Sequence, residues 1–301
     1  MSFVLLEHFL KKFRKEPLRV ILLIIFLNLL FLTENQKLYG QRTEVGVFGG
    51  CSYYLGDLNP KIHFLGSKPA LGLIHRYNFN PRFAWKNSIL LGWIGTSDQQ
   101  SKADVNRNLS FRSTIAEIST QIEFNFLDYM TSDPKYPISP YIFVGFSMFT
   151  FNPQANYNGQ WYDLQPLSTE GEGLSEYPDR KTYSLVQAAL PFGFGFKTSI
   201  ASQFCFGIEW GMRKTWTDYL DDVSTTYADP NILASEISAT SSALSNRTIK
   251  GSGYPANITG IQRGNSNNND WYSFTGFFFT YKIPRSTSCP AFKKKKPILY
   301  L

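Results

Sequence analysis

The chain has 301 residues, 43% hydrophobic and 16% aromatic but only 18% charged, against about 25% charged in an average soluble chain. Its formal charge of +7 sits at the ends: residues 1–40 carry +3, residues 282–301 carry +6, and 18 basic residues face 20 acidic ones in 41–281. A nucleic-acid binder spreads positive charge over its folded body, so that class is excluded. Three scattered cysteines (Cys51, Cys205, Cys289) and three histidines (His8, His63, His75) give neither a disulfide framework nor zinc spacing, and no cofactor or metal is expected.

Residues 1–40 read as an export signal. Lys11, Lys12, Arg14, Lys15 and Arg19 precede an apolar run of thirteen, Val20–Leu32. That is short of the roughly 20 residues of a spanning helix and within the about 7–15 of a signal-peptide core. An uncleaved anchor is the alternative. No second run of spanning length follows, so a helical membrane protein is excluded.

From Thr43 onward the pattern has period two. Thr43–Leu55 is glycine-rich, with Val45 and Val47 on one side. Ala70–Phe79 sets Leu71, Leu73, Tyr77 and Phe79 against Gly72, Arg76 and Asn78; Arg82–Gly95 sets Phe83, Trp85, Ile89, Leu91 and Trp93 against Lys86, Ser88 and Gly92. Phe111–Leu127 places Ala116, Ile118, Ile122 and Phe124 opposite Glu117, Gln121 and Glu123. Ser184–Lys197 and Gln203–Thr217 repeat this, with Phe192, Phe194 and Phe196 opposite Lys197, and Phe206, Ile208 and Trp210 opposite Glu209 and Arg213. Pro140–Phe151 and Trp271–Tyr281 are aromatic on both faces, so their parity is open.

These eight segments predict an all-β fold: an eight-stranded antiparallel transmembrane β-barrel of the bacterial outer membrane, spanning 41–282, with 283–301 as a basic periplasmic tail. A soluble sandwich also alternates, but three features favour the barrel. The strands are long enough to cross a bilayer at a tilt. Trp85, Trp93, Trp210 and Trp271 are expected near strand ends, where aromatic girdles lie. Arg76, Lys86, Glu117, Glu123, Glu209 and Arg213 share the non-lipid face, where a sandwich core would have to desolvate them. They are expected to form a structural charge cluster that fills the lumen. The connections alternate long and short, which puts the long loops outside and both termini in the periplasm; the 128–139 turn is the one imperfect member.

Catalytic chemistry is sparse. His75 lies by parity on the apolar face, without an acid on its own strand, and reads as an interfacial histidine; no GxSxG motif occurs. Asp218, Asp221 and Asp222 lack the alternation and glycine turn of a calcium loop and read as a solvated loop or an inter-loop contact. Lys293, Lys294, Lys295 and Lys296, followed by Pro297–Leu301, are candidates for docking a partner or anionic lipid, or else form a solvated end.

Several strings carry a resemblance that runs in order through nearly all of 43–281. They are Glu44–Gly50 with Tyr54–Asn59; Arg76–Pro81; Asn158-Gly159 with Trp161-Tyr162 and Leu167–Gly171; Trp210–Arg213 with Thr217–Ser224; Gln262–Asn265; and Asp270–Tyr272. With them the chain resembles the PorG-type outer-membrane barrels of the type IX secretion system in Gram-negative bacteria. It departs from them in the long charged N-terminus and at Lys293–Lys296. The resemblance implies a non-enzymatic component that associates with a periplasmic ring, made of a lipoprotein and its partner, and is required to export proteins bearing a C-terminal sorting domain. It transfers no functional residue. An outer-membrane lipid hydrolase or transferase, or an adhesion or ligand-binding barrel working through 152–183 and 219–270, are the alternatives.

Overall fold

A computed structural model describes residues 43–284, except 132, 202, 250, 252–254 and 256. The export signal in 1–40 and Lys293–Lys296 lie outside the described residues. Eight long strands form the barrel: β1 (Thr43–Leu55), β2 (Lys68–Asn78), β3 (Phe83–Ser97), β4 (Ser110–Asn125), β5 (Ile138–Thr150), β8 (Val186–Ala201), β9 (Phe204–Thr215) and β10 (Trp271–Lys282). A small hairpin, β6 (Gln154–Tyr157) and β7 (Gln160–Asp163), and three short helices, α1 (Asp98–Ser101), α2 (Pro230–Glu236) and α3 (Ala239–Ser245), belong to the loops.

Every neighbouring pair of barrel strands is antiparallel, in the order β3-β2-β1-β10-β9-β8-β5-β4, and the β3–β4 pairing closes the ring. Closure removes the sheet edges that would otherwise expose unpaired backbone groups to lipid. The alternation sorts side chains as the sequence predicts. Leu73 (60% exposed), Ile89 (59%), Phe194 (57%) and Phe277 (54%) point outward, while Arg76, Glu123 and Arg213 are fully buried inside. Such a belt would be an aggregation surface in water; around a closed barrel with a polar lumen it is a lipid face. The protein is an outer-membrane β-barrel. The two ambiguous strands resolve the same way, with Tyr141, Phe143, Phe149, Tyr272, Phe274 and Phe278 buried and Ile142, Val144, Phe277 and Phe279 exposed.

One expectation needs correction, and the imperfect turn finds its reason. Trp210 sits mid-strand in β9 rather than at an end, because the strand runs on to Thr215, and its indole donates to the Tyr53 hydroxyl at 3.0 Å instead of lying in a girdle. The 128–139 turn is longer than the other turns at its end of the barrel because part of it folds into the barrel. Tyr129 and Thr131 are buried, the Tyr129 amide donates to the Pro81 carbonyl at 3.1 Å, and Lys282 Nζ donates to the Thr131 carbonyl at 2.5 Å. The turn plugs the mouth of the barrel that carries the short turns.

Candidate functional site

The lumen is filled by two groups of charges, and all six residues read from the sequence take part. Near the short-turn end, Arg76 on β2 bridges two carboxylates: Nη1 lies 3.0 Å from Glu44 of β1, and Nε 3.0 Å from Glu123 of β4. Lys197 reaches Glu123 at 2.7 Å, and Lys86 lies between Glu123, at 3.7 Å, and Glu209, which it touches. Glu209 also accepts from the Tyr141 hydroxyl at 2.6 Å. Higher up, the Arg213 guanidinium meets Glu117 at 3.1 and 3.3 Å, and Tyr272 donates to the same carboxylate at 2.8 Å. Aromatic rings close the cations from the side, with Phe278 over Arg76 at 4.8 Å and Phe274 over Arg213 at 5.0 Å. Four cations thus face four carboxylates, which offsets the desolvation that an unpaired charge would suffer there.

Lys197, which the sequence places on the same face as these charges, joins the cluster, and Glu44 extends the predicted set. Glu44 accepts from Arg76, from Asn78 at 2.8 Å, from Thr131 at 2.5 Å and from Thr280 at 2.8 Å, so it ties the plug to three strands. Its parity, opposite to Val45 and Val47, was the available signal.

At the other end, loops 56–67, 98–109, 151–185 and 216–270 lock into one cap. Loop 151–185 begins with the β6–β7 hairpin, whose Asn158-Gly159 turn takes φ of 52° and 83°, the left-handed geometry that tight hairpins favour. Two arginines fasten the loops. Arg107 pairs with Asp98 at 2.6 Å and donates to the carbonyls of Arg263 (2.6 Å) and Asp57 (3.0 Å). Arg263 pairs with Glu170 at 2.9 Å and donates to the Asp222 carbonyl at 2.5 Å. Glu170 in turn accepts from the amides of Ser224 and Thr225 at 2.9 and 2.8 Å. Local pattern alone does not mark Arg107 or Arg263 as cap residues, because the contacts that join the loops, from Arg107 to Asp57 and Arg263 and from Arg263 to Glu170, run between segments far apart in the chain.

Of the two readings of Asp218, Asp221 and Asp222, the inter-loop contact is the one found: all three are buried in this cap rather than solvated. Tyr54 donates to Asp221 at 2.5 Å and to Asp270 at 3.1 Å; Asp222 accepts from Thr169 at 2.5 Å and Tyr183 at 2.6 Å. Asp218 has no hydrogen bond of good geometry to either oxygen. Burial pushes its acid up to about 9 despite the Ser224 hydroxyl beside it, and the neighbouring Asp57 and Asp221 reinforce the shift. Burial and the charges of Asp222 and Glu170 raise Glu172 to about 8. Burial and neighbouring aspartates hold Asp221 and Asp270 well above the usual carboxylate range. The cap therefore holds more carboxylates than it can ionise together. Among the described residues, no three His, Cys, Asp or Glu side chains are arranged to hold a metal ion. His75 stays on the lipid face against Trp85, with Asn87 3.4 Å from Nδ1.

Solved structures similar to the chain are bacterial outer-membrane proteins. The attachment invasion locus protein Ail of Yersinia pestis matches at TM-score 0.39 and 10% identity, over 81% of this chain and 100% of that one. OprG of Pseudomonas aeruginosa matches at 0.37 and 11%, over 82% and 98%, and Neisserial surface protein A at 0.36 and 8%, over 80% and 97%. The barrel assignment stands on strand register and burial rather than on these scores. No curated protein is significantly similar to the chain. A family model matches residues 22–235, more than half of the sequence, and the chain therefore belongs to the family described as Domain of unknown function (DUF6089).

Proposed function

We propose that this outer-membrane barrel is a structural and assembly component of the type IX secretion machinery, tethering the periplasmic ring of a lipoprotein and its partner beneath the membrane. The supporting observation is the convergence of the strings that carry the resemblance. Tyr54, Asp57, Glu170, Asp218, Asp221, Asp222, Arg263 and Asp270 come from five of them and meet in one cap. Strings that are far apart in the chain but together in space belong to one architecture, so the resemblance extends beyond composition. The charge-filled lumen and plugged mouth favour a tether over a diffusion pore. A lipid hydrolase needs a nucleophile–histidine pair, and His75 has no acid among its described neighbours.

On this reading the ring meets the periplasmic side, where turns 79–82 and 126–137 lie, and the tail lysines Lys293–Lys296 dock an acidic face of the partner. Crosslinking in cells, followed by isolation of the barrel from outer membranes, tests this. Recovery of the ring lipoprotein with its partner, and loss of both on deleting 283–301 with the barrel still inserted, is the expected result. Recovery of the barrel alone would overturn the tether. Unchanged recovery after the deletion would overturn the role of the tail.

A further inference from the structure

Beneath the β1–β2 loop, the lipid face is not a plain belt. Tyr53 points outward from β1 yet is fully buried, because the loop folds back over it. Its ring centroid lies 4.8 Å from that of Phe64, and its hydroxyl lies 3.1 Å from His63 Nδ1 while accepting from Trp210. To place the ring there, Phe64 adopts φ 64°, a left-handed conformation that bulky residues avoid. Such local strain persists where the surroundings enforce it, often at ligand clamps. The overhang turns the neighbouring surface into a pocket of about 680 Å³, walled by His63, Phe64, Phe194, Phe196, Ile208 and Trp210 and floored partly by Thr275.

We propose that this pocket binds one acyl chain of a phospholipid from the surrounding bilayer. Its volume is within the about 300–1,000 Å³ of small-molecule sites. Phe194, Phe196 and Ile208 are outward belt residues, so the pocket is continuous with the face already in contact with hydrocarbon, and an acyl chain is the ligand present there. Lys61 and His63 lie in the exposed stretch 60–64, beside the exposed Ile62. They put polar donors at the rim of the pocket, with apolar side chains next to them, as suits a lipid whose chain enters the pocket and whose polar end stays outside it. Phe64 acts as the clamp: its strained backbone holds a ring over a chain that elsewhere on the barrel would exchange freely.

Trp210 is a built-in reporter. In detergent, with Trp85, Trp93, Trp161, Trp216 and Trp271 replaced by phenylalanine, a phospholipid brominated in its acyl chains should quench Trp210 saturably, at one lipid per barrel. Phe64→Ala should weaken that binding by about tenfold, the loss expected for removing one buried aromatic contact, and Thr275→Phe, which fills the floor, should abolish it. A tryptophan placed at the open face by Leu73→Trp should show only unsaturable quenching. In native mass spectrometry the unaltered protein should retain one phospholipid. Unsaturable quenching at Trp210 that matches position 73 and is unchanged by Thr275→Phe would overturn the proposal, leaving bulk lipid contact only.

Discussion

Arg213 illustrates how the lumen trades charge for closure. Its guanidinium is fully buried and depends on Glu117 for two of its contacts. Arg213→Met leaves Glu117 buried with only Tyr272 as donor, and should cost about 3–5 kcal/mol in urea unfolding. Adding Glu117→Leu should recover most of that loss, a coupling that a double-mutant cycle measures directly. Equal, additive losses would mean that the two groups do not act as a pair. Asp218, Glu172, Asp221 and Asp270 in the cap make the opposite case, because their folded acids lie above their unfolded ones. Such groups contribute fully below the unfolded value, and that contribution is lost as pH rises through the folded one. For Asp218 that window runs from 3.8 up to about 9. The cap should therefore be firmest near the acid end and loosen toward pH 9. The stacked rings of Tyr183 and Tyr219, 4.7 Å apart, report on it through near-UV circular dichroism. Their signal should fade with rising pH while the far-UV barrel signal holds, and Asp218→Asn should flatten the alkaline part of the change.

At the level of elements, the strands were the legible part. Period two shows plainly in β4, β8 and β9, because one face is lipid-apolar and the other carries charges that need partners. It fails in β5 and β10, where Tyr141, Phe143, Phe274 and Phe278 point inward to stack against lumen cations and one another. An aromatic residue suits both hydrocarbon and a cation, so hydrophobicity alone does not tell the faces apart. The loops were less legible still. Asp221 and Asp222 look like surface acids until Tyr54 of β1, Tyr183 of loop 151–185 and Arg263, 41 residues beyond Asp222 in their own loop, are brought to them. The plug formed by Tyr129 and Thr131 likewise depends on Glu44 and Lys282, from the two ends of the barrel sequence. The strand assignment makes its own prediction. Ile118 lies mid-strand on the outer face of β4, and Ile118→Arg should destabilise the refolded barrel by about 2–4 kcal/mol in lipid bilayers. A negligible loss would place that face away from the membrane.

Taken whole, the molecule is asymmetric about the membrane: short turns and a plug at one mouth, and a cap of four interlocked loops at the other. The charge follows the same division, with a near-neutral body and a strongly basic C-terminal segment. This asymmetry makes the orientation testable. In a background with Cys51, Cys205 and Cys289 replaced by alanine, single cysteines can be introduced by Asn158→Cys in the β6–β7 turn and Lys135→Cys in the plug turn, both remote from the lumen charges. Labelling intact cells with a membrane-impermeant maleimide is the most direct measurement. A barrel spanning the outer membrane with its cap outside predicts that position 158 reacts on intact cells and position 135 only after the outer membrane is permeabilised. Labelling of 135 on intact cells with 158 protected, or protection of both until the inner membrane is also breached, would contradict it.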